Sequence, residues 1–259
     1  MSILSYILIF TFLGSIGALI GGLILLSWDK MAIKVSHFLA SFAAGTLLGA
    51  AFFDLLPEAL HEATSNAAAG EEVNIFMWAL IGIILFFLLE RFIHWFHHHE
   101  EHHQHEKEAK TTIPLIVISD TIHNFIDGVV IAATFLVSIP LGIVTTLAVA
   151  AHEIPQEIGD FGLLLHKGMT KKKIILVNLI SAAAAFAGAL ITYVFGNAIE
   201  AFIPIFLSLT AGFFMYIALS DLIPEIHYEK RKGFAFWESV LLVLGIAVVW
   251  LSVSFLEHG

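Results

Sequence analysis

Apolar runs of about 20 residues, separated by short polar stretches, recur along all 259 positions of the chain. A helix of that length, at 1.5 Å per residue, crosses a hydrocarbon core roughly 30 Å thick. The pattern predicts eight spans, at 3–26, 36–60, 74–96, 113–137, 141–166, 173–196, 200–224 and 234–256, and so an all-α polytopic membrane protein. Only Ser138-Ile139-Pro140 separates the fourth span from the fifth, which makes them an antiparallel pair. The longest connection is 97–112, and no soluble domain is left over: residues 1–259 read as a single transmembrane domain. The first run lacks a basic leader and a small-residue cleavage site, so it reads as a retained span.

Two spans break the apolar pattern in the same way. In the fourth, Asp120, His123, Asn124 and Asp127 recur at i, i+3, i+4 and i+7, which is one face of a helix. In the fifth, His152, Glu153, Gln156, Glu157 and Asp160 form a broader polar face. His123 and His152 each lie ten or eleven residues into their spans, near mid-bilayer. A charged side chain at that depth costs about 2.5–3.5 kcal/mol on insertion scales, so intramembrane ionisable groups point to function. Pro155 sits within the second stripe, where it removes a backbone hydrogen bond; broken backbone at this depth lines a cavity or a site. Any one of these residues alone has a structural explanation. Two imidazoles, two amides and several acids on facing stripes point instead to a bound cation, with a proton relay as the other use of such a set.

Composition narrows the chemistry. Hydrophobic residues make up 59% of the chain and charged residues 13%, with a mean hydropathy of +0.91. There is no cysteine, so a metal would be held by imidazole, carboxylate, amide or water. That donor set suits Zn²⁺, Fe²⁺, Mn²⁺, Co²⁺ or Cd²⁺ better than Mg²⁺ or Ca²⁺, which favour oxygen alone. A net charge of −10 argues against nucleic acid as a partner and suits attraction of cations.

The twelve basic residues give the orientation. Lys30 and Lys34, then Arg91, Lys107 and Lys110, then Lys167, Lys171, Lys172 and Lys173, and finally Lys230, Arg231 and Lys232 all fall at odd-numbered connections. The bias of Lys and Arg toward the cytoplasmic side puts those connections inside and both termini outside. The chain also repeats itself. Ala44-Gly45 through Asp54-Leu55-Leu56-Pro57-Glu58 to Glu62 is echoed, at a constant offset of 167, by Ala211-Gly212 through Asp221-Leu222-Ile223-Pro224-Glu225 to Glu229. Spans two and seven run in opposite directions, which implies an inverted 3+2+3 repeat with spans 1–3 and 6–8 around 4–5. Asp54 and Glu58 would then lie near the outer mouth and Asp221 and Glu225 near the inner one. They act there either as gate acids or as the polar ends of helices stopped by proline.

His123-Asn124-x-x-Asp127-Gly128, with His152-Glu153-Ile154-Pro155-Gln156-Glu157 and Gly159-Asp160-Phe161, resembles the metal motifs of ZIP (Zrt/Irt-like) metal-ion transporters, in the branch with a His-Glu-x-Pro-His-Glu signature. The resemblance covers essentially the whole chain. It implies a transporter rather than an enzyme, moving a divalent transition metal, zinc first, into the cytoplasm across a cell membrane. It places His123, Asp127, His152 and Gln156 at one metal site, and Asn124, Glu153 and Gln156 at an adjacent one. Gln156 departs from the His or Glu usual there, which would weaken the bridge or shift its role to Glu157. A sixth-span residue, Asn178 or Ser181, would complete the second site. The family's His-rich cytoplasmic segment corresponds to His94, His97, His98, His99, His102, His103 and His105, read either as metal capture or as a charged linker. Residues alone leave export open, and they leave an intramembrane hydrolase as a remote alternative, since His-Glu-x-x-His would put two ligands and a base on one helix. Gly45-x-x-x-Gly49 permits close helix contact, within one chain or in a homodimer.

Overall fold

The computed structural model describes residues 1–67, 73–98, 105–196, 202–227 and 233–258, without the side chains at 29–34, 65–67, 93–98, 105–112, 115, 225, 227 and 257–258. The described elements are helical throughout. They are α1 (Ile3–Gly14), a 3₁₀ turn (Ile16–Leu19), α2 (Ile20–Ser27), α3 (Asp29–Ala50), α4 (Leu56–Ala67), α5 (Ile75–His98), α6 (His105–Val137), α7 (Ile139–His166), α8 (Lys171–Val194), α9 (Ile203–Tyr216), α10 (Ile223–His227) and α11 (Phe234–His258). Among the described residues, seven stretches are long and apolar enough to cross a membrane, so the chain is a multi-pass membrane protein. The remaining long helix, α7, has 28 residues, or about 42 Å, but carries Glu153, Glu157 and Asp160. It packs against α1, α2, α3 and α6, and those neighbours bury its polar face.

Two of these stretches, Val35–Thr64 and Ile203–Leu222, the expected second and seventh spans, share an unexpected feature. Each passes through a wide π-turn, at Ala51–Leu55 and at Ile217–Leu222, then resumes as α-helix. Proline explains both. The rings of Pro57 and Pro224 crowd the carbonyls four residues earlier, on Phe53 and Ser220, and each lacks the N–H that would bond them; widening the turn relieves the clash. Helix therefore continues past Pro57 to Ala67 instead of ending at the Pro-Glu pair. Asp54 and Asp221 lie within the two π-turns, Asp54 buried and Asp221 exposed. Their last residues, Leu55 and Leu222, stand at the same offset of 167 as the sequence repeat.

Helix crossings recur at that offset too. In lipid there is little hydrophobic drive between helices, so close backbone approach at small residues supplies the packing. A Cβ on Gly45 of α3 would strike Leu242 and Gly245 of α11, and one on Gly245 would strike Phe42. A Cβ on Gly212 of α9 would strike Ala79 and Gly82 of α5, and one on Gly82 would strike Leu209. Gly45 and Gly212, like Phe42 and Leu209, are 167 apart. So are Ser15, at the break between α1 and the 3₁₀ turn, and Ala182 of α8, whose carbonyl accepts the Ser15 hydroxyl at 2.7 Å.

The expected linker 97–112 is mostly helical. Residues 97–98 end α5 and 105–112 begin α6. His99, His102 and His103, and the side chains of His94, His97, His98 and His105, lie outside the described residues.

Candidate metal centre

Short local rules bring α6 and α7 together. Helix α7 starts on the Ser138 hydroxyl, which accepts from the Leu141 N–H at 3.2 Å, with Pro140 in its first turn. Gly128 of α6 lies against the Ala185 backbone of α8, and Gly188 of α8 lies against Phe125 and Val129, so these helices pack with no side chain between them. The polar stripe of α6 is left to meet that of α7. Helix α7 runs unbroken through Pro155; the interruption expected there falls instead at the π-turns of the second and seventh spans.

Four side chains converge where the stripes meet. Nε2 of His123 lies 3.2 Å from Nε2 of His152, 3.3 Å from Oε1 of Glu153 and 3.7 Å from Oδ2 of Asp127. Nε2 of His152 lies 3.5 Å from that Asp127 oxygen and 3.9 Å from Glu153 Oε1. All four groups offer an atom within 4.8 Å of every other. The edges of a tetrahedron around a zinc ion, with ligands at 2.0–2.2 Å, are about 3.3–3.6 Å. Five of the six observed spacings, at 3.2–3.9 Å, lie close to those edges.

The local chemistry agrees. Nδ1 of His152 donates to the Ala148 carbonyl at 3.1 Å, a bond that leaves Nε2 with its lone pair free and aimed at the cluster. Asp127 Oδ2 and both Glu153 oxygens are buried without a hydrogen-bond partner. Orphaned carboxylate oxygens in a protein interior cost several kcal/mol unless a cation answers them. With both imidazoles neutral and both acids ionised, one divalent ion brings the set to zero net charge.

The other sequence candidates are spread around this centre. The Asn124 amide donates to Asp120 Oδ1 at 2.9 Å, and its own Oδ1 is buried without a partner. Glu157 is buried, with both oxygens unpartnered. Gln156 and Asp160 are half-buried. Glu157 lies near enough to Glu153, Asp120 and Asp160 to interact with each electrostatically. Asp160 interacts likewise with Asp120 and His123. Among the described residues, however, no second group of three acids or imidazoles comes within 4.8 Å. Asn178 is buried and spends its amide N–H on the Ile174 carbonyl of its own helix, while the buried Ser181 hydroxyl lies beside the Asp120 carboxyl. Asp54, Glu58 and Asp221 belong to the second and seventh spans, outside the converging set, and the Glu225 side chain lies outside the described residues.

Sequence reasoning did not find Phe86 of α5. Its ring stands edge-on to His123 at 5.9 Å, and Phe214 of α9 stands 6.2 Å from His152. An aromatic in an apolar span carries no signal of its own.

The family model described as ZIP zinc transporter matches residues 2–114 and 97–252. Zinc transporter ZIP13 of Pongo abelii is 34% identical over 227 residues, covering 85% of this chain and 67% of the relative. The Drosophila melanogaster ZIP13 homolog is 26% identical over 287 residues, covering 89% and 81%. Zinc transporter ZIP6 of Homo sapiens is 37% identical over 151 residues, or 56% of this chain and 20% of that protein. The chain thus spans two thirds or more of the ZIP13 proteins and a fifth of ZIP6. All three relatives carry a transporter's name, none an enzyme's. With the family model matched along nearly its full length, this chain belongs to the ZIP zinc transporter family.

Proposed function

We propose that this ZIP-family metal transporter carries Zn²⁺, and with lower preference Fe²⁺, Mn²⁺ or Cd²⁺, into the cytoplasm on His123, Asp127, His152 and Glu153. The observation that carries the reading is the convergence of those four side chains at near-tetrahedral spacing. The ion would shed its water as it enters, exchange onto two neutral imidazoles and two carboxylates, and leave by the other side. Protons compete for the same atoms, so low pH opposes loading. The adjacent Asn124, Gln156 and Glu157 supply weaker oxygen donors, and Asp120 and Asp160 line the way beyond.

Eight spans in a cell membrane, with α7 as the fifth and both termini outside, accommodate the basic residues at odd connections. The recurrence of π-turns and glycine crossings at one offset supports the inverted 3+2+3 repeat of a single transmembrane domain. All four converging groups come from one chain, so the centre does not need a dimer to be complete. Import is preferred to export on the family's direction. A hydrolase is disfavoured because Glu153, which would serve as its base, is spent in the cluster. Uptake of ⁶⁵Zn into proteoliposomes, with competing metals and an imposed pH gradient, tests the proposal. Saturable uptake blocked in a His152→Ala protein is expected; uptake equal to that of empty liposomes would refute it.

A further inference from the structure

We propose that Phe86, tied in place by a hydrogen bond between Tyr216 and Glu90, closes one side of the metal centre, and that this bond must break for that side to open. Phe86 is buried, with its ring edge-on to the His123 imidazole at 5.9 Å. On its far side it packs against Phe213 at 5.4 Å and Tyr216 at 5.5 Å. The Tyr216 hydroxyl donates to Oε2 of Glu90 at 2.5 Å. Phe86 and Glu90 are one turn apart on α5, and Phe213 and Tyr216 one turn apart on α9, so each helix presents a ring and a latch partner together. The Gly82–Gly212 crossing, one turn away, brings the two helix backbones into direct contact beside these rings.

Position gives this packing its meaning. From Phe86, Glu90 lies toward the end where α5 gives way to α6, and from His123, Asp120 lies toward that same end. An ion leaving the centre that way passes the edge of an aromatic ring, an apolar constriction that blocks a hydrated ion until it moves. Tyr216 is the last residue before the π-turn at Ile217–Leu222, where the hydrogen-bond ladder of α9 is already irregular. A shift of that turn would draw the hydroxyl from Glu90 and free Phe86. The purpose of the gate rests on the transport reading, but its existence can be tested without transport.

The chain has no cysteine, so a single introduced thiol reports access without background. Ser119 is one turn from His123 on α6, toward the closed end. In metal-free, detergent-purified S119C protein, the rate of modification by a charged methanethiosulfonate is measured. Slow modification is expected, with Tyr216→Phe raising the rate about tenfold, the scale of a hydrogen bond to a charged acceptor. Glu90→Gln, which keeps an acceptor, should raise it less. The pair together should match Y216F alone, since both act on one bond. Phe86→Leu should raise the rate with Tyr216 intact. An S119C thiol that already reacts at the rate of a free thiol, an unchanged rate in Y216F, or full additivity of Y216F and E90Q would overturn the proposal. A failure of zinc uptake would leave these rates untouched.

Discussion

Two groups of buried acids sit side by side on α6 and α7, and only one of them has the geometry of a metal centre. Asp127 and Glu153 converge with two imidazoles at tetrahedral spacing. Asp120 and Glu157 are also buried and Asp160 half-buried, near enough to interact electrostatically, yet they bring no three ligand atoms together. Clustered carboxyl groups are common to both. What separates them is the pair of histidines, at equal depth on antiparallel helices, which gives neutral donors that draw a cation in without adding to the repulsion. The second group lacks a shell to hold a cation.

That contrast can be broken first at the histidines. His123→Ala or His152→Ala should reduce ⁶⁵Zn uptake to background in folded, membrane-inserted protein, because each leaves a three-group shell around an uncompensated pair of acids. Next come the converging acids: Asp127→Asn or Glu153→Gln should weaken zinc binding more than about 100-fold, since losing a partner that merely orients a ligand already costs about 10- to 100-fold, measured by titration of purified protein. Glu157→Gln should lower the uptake rate by only a few-fold, with zinc affinity nearly unchanged. An effect of Glu157→Gln as large as that of Glu153→Gln would erase the distinction. The smallest effect is expected from deleting the histidine-bearing residues 99–104, which lie outside both groups: uptake should survive.

The spans and the stripe residues could be read from the chain because their signals are local. Twenty apolar positions fix a span, and a three-to-four residue spacing fixes a face. All four converging groups were among the candidates for that reason. Rotation of one helix against another is not local: spacing placed Gln156 and Glu153 on the same broad face of α7, and only packing brought Glu153 into the four-group shell. The π-turns were missed because a proline before an acid reads as a helix end. Whether the helix stops or widens depends on neighbours that hold the following turn, here α9 against α4. The break in the first span at Ser15 was missed as well, since its cause is a hydroxyl bonded to a carbonyl 167 residues away.

X-ray absorption of the zinc-loaded protein tests the central claim most directly. In a variant with His97, His98, His99, His102, His103 and His105 replaced by Asn, one zinc should show a four-coordinate nitrogen–oxygen shell with two imidazoles, falling to one in His152→Ala. A shell with no imidazole, or one unchanged by His152→Ala, would contradict the account.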